Sequence, residues 1–131
     1  MPTAQLFIAT ASISGLLAVA LGAFGAHGLK NRLTPDLMDV WHTAVQYHFW
    51  HTLALLGIGV LLAQGVLSQT TPSKWLVISG LLFTAGIVIF SGSLSILCLS
   101  GMRWLGAFTP IVGTLWLMAW ACLCYSAFKS V

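Results

Sequence analysis

Four long apolar runs, approximately Gln5 to Ala26, Val40 to Ala63, Trp75 to Leu99 and Trp104 to Phe128, constrain this chain more than any other feature. Each is close to the roughly 20 residues that carry an α-helix across about 30 Å of hydrocarbon. In lipid a backbone has no water to bond to, so a single apolar run satisfies its N–H and C=O groups as helix. Only 5% of residues are charged and 59% are hydrophobic, with mean hydropathy +0.99, whereas soluble domains are about a quarter charged. The chain is expected to be an all-α integral membrane protein, one domain over residues 1–131, folded as a four-transmembrane-helix up-down bundle.

The first run is read as a mature helix and not as a secretory signal. No Lys or Arg precedes it, and it is longer than the 7 to 15 residues typical of a signal core. Cys98, Cys122 and Cys124 are odd in number and lack CxxC spacing, which gives neither a disulfide framework nor a zinc site. The net charge of +3 comes from Lys30, Arg32, Lys74, Arg103 and Lys129, scattered singly among loops and ends. Such residues act as topology determinants, and no nucleic-acid partner is expected. Lys30, Arg32 and Arg103 fall on one side of the membrane and Lys74, Lys129 and the amino terminus on the other, a near balance.

Polarity gathers in Gly22 to Leu55, which holds all four histidines and both acids. It reads as a helix ending at Gly25/Ala26, a short polar turn carrying His27, and a second helix bearing His42, Gln46, His48 and His51. Thr34 suits the N-cap of that helix, Pro35 its first position, and Asp36 and Asp39 the positive end of its dipole. Trp41 is read as marking the headgroup level.

Small residues recur at helical spacing. Gly15 and Gly22 lie on a close-packing face of the first helix, Ser79, Gly86 and Ser93 form a seam on the third, and Gly106 and Gly113 lie on the fourth. Pro110 is read as an early kink, because starting the helix there would leave Trp104 to Thr109 unpaired at membrane depth.

Because the four spans alternate, the end of the first, the start of the second, the end of the third and the start of the fourth meet on one side. The candidate polar pocket there comprises His27, Gln46, His48, His51, Ser91, Ser93 and Arg103. Three readings compete. In the leading one His51 hydrogen-bonds a serine, His27 or a backbone carbonyl and fixes helix contacts. In the second the groups line a pocket or path for a proton, ion or small molecule. In the third, histidine ligates metal or haem, but no neighbouring carboxylate or ligand motif supports that. No metal or other cofactor is therefore expected. Nor is an enzyme, since the only carboxylates sit in capping positions.

GAFGAH (Gly22 to His27), WHTAVQYHFWHTLALL (Trp41 to Leu56), FSGSLSILCLSGMRWLGAFTPIVG (Phe90 to Gly113) and the terminal LMAWACL together resemble the domain of unknown function 423 family, which includes the animal transmembrane protein 256. The resemblance covers nearly the whole chain. It implies a small four-helix protein of the bacterial inner membrane with no established activity, and basic carboxy termini among bacterial relatives imply both ends in the cytoplasm. The family's recurring polar positions match His27, the Gln46 to His51 segment and Ser91 to Ser93. It commonly has tyrosine at the position of Ser95 and glycine at that of Val112. The resulting expectation is a structural or accessory membrane component, with a small channel or carrier as the alternative. Its partners would be the lipid bilayer and either further copies of itself or a larger membrane complex.

Overall fold

The computed structural model describes residues 2–65 and 73–129. It contains four long helices, α1 (Pro2–Phe24), α2 (Pro35–Gln64), α3 (Lys74–Ser100) and α4 (Phe108–Lys129). A π-helical turn, Gly25–Leu29, follows α1, and a 3-10 turn, Arg103–Ala107, precedes α4. All four helices are long and apolar enough to cross a membrane. Most of the polar turn read between the second and third spans lies outside the described residues.

Helix ends follow local chemistry. Thr34 takes the N-cap of α2 with extended backbone and Pro35 follows it, although the Thr34 hydroxyl makes no capping bond. At the other end Gly65 has φ 62° and donates its N–H to the carbonyls of Leu61 and Leu62. Gly101 ends α3 in the same way, with φ 73° and a 2.8 Å bond to Leu97 O. Both glycines adopt the left-handed conformation that a side chain disfavours, which closes a helix without leaving its last carbonyls unpaired.

Successive helices run antiparallel. Contacts pair Leu21 with Trp41 and Ser14 with His48 between α1 and α2, and Leu37 with Cys98 between α2 and α3. Ser79 pairs with Ala119 between α3 and α4. The α2–α3 pair forms the centre, with α1 and α4 on opposite flanks. Its core includes Leu55, Ile58, Phe83 and Val112, all without measurable exposure.

Among the glycines of α1 and α2, Gly59 marks the closest approach of the two backbones. A Cβ there would stand 3.1 Å from Ile8 N and 3.4 Å from Ala4 O. Gly15 and Gly22 also face α2, but at ordinary contact distance, 3.6 Å from Thr52 Cγ2 and 3.5 Å from Val45 Cγ1. On α3, Gly86 makes room for the Trp116 indole of α4. Gly113 differs from its reading as a packing glycine, since a Cβ there would meet nothing within 4 Å.

Three local expectations are corrected. The chain does not leave the helix at Gly25/Ala26; it widens into the π turn, so His27 lies on helical backbone. Within that turn Gly25 lies against the Trp41 indole, where a Cβ would overlap it. Trp41, read as an anchor at the headgroup level, does not face outward. It is 1% exposed and donates its indole N–H to Leu21 O at 3.1 Å. Finally, α4 starts close to Pro110 without a kinked extension. The 3-10 turn supplies short bonds, such as Leu105 N–H to Met102 O at 3.1 Å, and Pro110 falls in the first turn, where a helical N–H has no partner to lose.

Candidate functional site

His48 is the residue around which the buried polarity collects. It lies on the inner face of α2, one turn before Thr52, so both side chains reach the same stretch of α1. Ser14 meets them there. Its Oγ is 2.8 Å from His48 Nε2 and 2.6 Å from Thr52 Oγ1. All three residues are buried, at 7%, 4% and 3% exposure for Ser14, His48 and Thr52. Ser14 takes the position in α1 that would otherwise continue the buried row of Phe7, Ala11 and Ala18.

His51, also on α2, is buried beside α4. Its ring stacks on Trp116 of α4, with centroids 3.7 Å apart and planes 5° apart. Its Nδ1 is 2.7 Å from Tyr47 O, one turn back on its own helix. Since a ring nitrogen donates to a carbonyl, Nδ1 carries the proton in this contact. Tyr47 and Phe90 complete an aromatic cluster around Trp116, with centroids 5.9 and 4.7 Å from it.

The remaining candidates bond to neither histidine, and of them only Ser91 lines a groove that His48 also lines. Ser93 Oγ donates to Phe90 O at 3.0 Å, within its own helix. Ser91 is 6% exposed and its Oγ has no partner among the described residues. His27 and Gln46 lie on exposed surface. Arg103 pairs with Asp36 at 3.5 Å, with both side chains mostly exposed, an arrangement that contributes little to stability. Six of the seven candidates thus divide among two buried clusters, a groove and the outer surface, and Ser93 is buried with its hydroxyl on its own helix.

That groove, about 430 Å³, runs between α1 and α3 with His48 and Leu55 of α2 among its lining. Its wall is almost wholly apolar, and it opens outward past Leu17 and Val88, which are 48% and 67% exposed. Among the described residues no group of three or more His, Cys, Asp or Glu side chains is placed to hold a metal ion.

Sequence reasoning missed Ser14, Thr52 and Trp116. Thr52 carried a signal, standing four residues after His48 on a helix already read as polar-lined. Ser14 carried a weaker one, as a hydroxyl within a row of small and apolar residues. The pairing of His51 with Trp116 depends on how α4 lies against α2, which no spacing within one helix reveals.

Fold and site together define a class, a multi-pass four-helix membrane protein with a buried Ser-His-Thr cluster joining two of its helices. Residues 21–113 match the family model described as protein of unknown function (DUF423), and the chain belongs to that family. It is 42% identical over 127 residues to the UPF0382 membrane protein YwdK of Bacillus subtilis, a match covering 95% of this chain and 98% of the relative. It is 43% identical over 129 residues to the UPF0382 membrane protein SH2409 of Staphylococcus haemolyticus, covering 97% and 98%. No solved structure matches the chain. The protein is a multi-pass protein of the bacterial inner membrane.

Proposed function

We propose that this protein is a structural or accessory component of the membrane, in which the Ser14-His48-Thr52 cluster holds α1 against α2. The observation that carries this reading is the partnering inside the bundle: Ser14 bonds both His48 and Thr52 across the helix interface. Polar side chains joined across helices in hydrocarbon act as fasteners, each bond worth about 0.6 kcal/mol on average and up to about 1.7. The His51-Trp116 stack does the same for α4 against α2, and aromatic pairs of this kind contribute about 0.5–1.5 kcal/mol beyond their burial.

Conduction of protons or ions would call for polar groups in a continuous file with water. Here His48 and His51, neighbours three residues apart on α2, turn to different helices, His48 to Ser14 of α1 and His51 to Trp116 of α4, and the groove beside His48 has an almost wholly apolar wall. The test is flux. Purified protein reconstituted into vesicles loaded with a pH-sensitive dye should dissipate a pH step no faster than protein-free vesicles, and the same should hold for potassium and sodium gradients. A parent-dependent flux that disappears in His48→Leu would replace this reading with that of a channel or carrier.

A further inference from the structure

The Ser14-His48-Thr52 cluster leaves one ring nitrogen unused. Among the described residues His48 Nδ1 is buried without a hydrogen-bond partner, and so is Ser91 Oγ. Both residues line the groove between α1 and α3, one from α2 and the other from α3. A buried polar group without a partner costs about 1–3 kcal/mol, so two beside one groove call for an explanation.

Proton counting assigns the sense of the cluster. If Nε2 carried the proton it would donate to Ser14, Ser14 to Thr52, and the Thr52 proton would be left over together with the Nδ1 lone pair. If Nδ1 carries it, Thr52 donates to Ser14 and Ser14 to Nε2, so both hydroxyl protons are used. The second arrangement leaves a single unpaired group, the Nδ1–H donor. Ser91 adds a hydroxyl donor beside the same groove. The groove therefore offers donors, and it suits a ligand that brings acceptors.

Depth narrows the ligand further. His48 lies nine residues beyond Asp39, the last charged residue of α2, or about 14 Å along the helix at 1.5 Å per residue. Ester carbonyls of phospholipids stay at the headgroup level, well above this point. A free fatty acid would bring its own O–H donor and is drawn to the surface by its carboxyl group. A ring carbonyl on a molecule that itself dissolves in hydrocarbon can reach His48. The groove extends along α1 from Thr10 to Leu21, about 16 Å of helix, a length that suits several branched apolar units.

We propose that the groove between α1 and α3 binds an isoprenoid quinone, with its tail along the apolar wall and one ring carbonyl accepting from His48 Nδ1–H and Ser91 Oγ–H. Nδ1 is covered by its neighbours, and engagement shifts those covering side chains while the imidazole stays in place with Nε2 on Ser14. The inference concerns binding and leaves the fastening role of Ser14 and Thr52 in place.

The test is the content of protein purified in mild detergent from bacterial membranes, extracted and measured for quinone by chromatography and for phospholipid by phosphorus. The parent should retain stoichiometric quinone, and Val88→Trp, which fills the groove from its exposed wall without touching the polar cluster, should lower it by about tenfold or more. Quinone no higher than in an unrelated four-helix membrane protein purified alike would overturn the proposal, as would retention unchanged in Val88→Trp. Phospholipid or fatty acid in place of quinone would overturn it too. Delipidated parent labelled with ¹⁵N-histidine gives a second readout independent of the variant: a decyl benzoquinone should shift the His48 Nδ1 resonance and leave that of His27 unmoved. No shift at saturating quinone would refute the proposal.

Discussion

Ser14 has one hydroxyl and two buried partners, so its removal is felt by both. Ser14→Ala should lower stability by about 0.6–1.7 kcal/mol, and combining it with Thr52→Val should cost less than the sum of the two, because they share a bond. Denaturant titration of the helical signal in detergent measures this, and additive losses would show that the hydroxyls act separately. His51 gives the opposite pattern. Its ring faces Trp116, and its polar contact is a carbonyl of its own helix. His51→Phe, which keeps a flat ring, should therefore retain more stability than His51→Gln, which keeps only polarity; a more stable Gln variant would show that the hydrogen bond outweighs the stack. The sequence marks His48 and His51 as polar residues at membrane depth, and nothing more specific. Which groups meet them depends on the rotation of α1 and α4 about their own axes, and a serine among alanines says little about that.

At the level of helices, much more was readable. Span lengths and apolar runs locate all four elements, because hydrocarbon leaves a lone apolar segment no other way to satisfy its backbone. The helix ends were less legible. The first span runs on through the π turn at Gly25–Leu29, where Gly25 fits against Trp41, a contact between residues sixteen apart in sequence. The 3-10 turn at Arg103–Ala107 resolves a backbone problem that had seemed to demand a kinked helix. Close packing was also placed imperfectly, since small residues at repeating spacing do not say which of them meets a backbone. Gly59 does, and Gly57, two residues earlier, has open space at its Cβ position. Gly59→Leu should separate α1 from α2 and lower the midpoint of thermal unfolding in detergent sharply, while Gly57→Leu should leave it nearly unchanged. Equal midpoints for the two variants would contradict the assignment of that close approach.

For the whole molecule, four antiparallel spans put the start of α1 and the end of α4 on the same side of the membrane. Cysteine labelling near the two ends should give one shared accessibility, and opposite labelling of the ends within one population of molecules would contradict the topology. On the proposed reading His48 and His51, neighbours on α2, fasten α1 and α4 respectively and do not line a common aqueous path. The most direct measurement of that claim is transfer of magnetisation from water to the histidine side chains in lipid bilayers, read by solid-state NMR. His27, on the exposed surface, provides the wet reference, and the fully buried Leu55 provides the dry one. The account predicts that His48 and His51 receive water magnetisation at the slow rate of Leu55. Transfer to both as rapid as to His27 would place water along the polar cluster and contradict the fastening role.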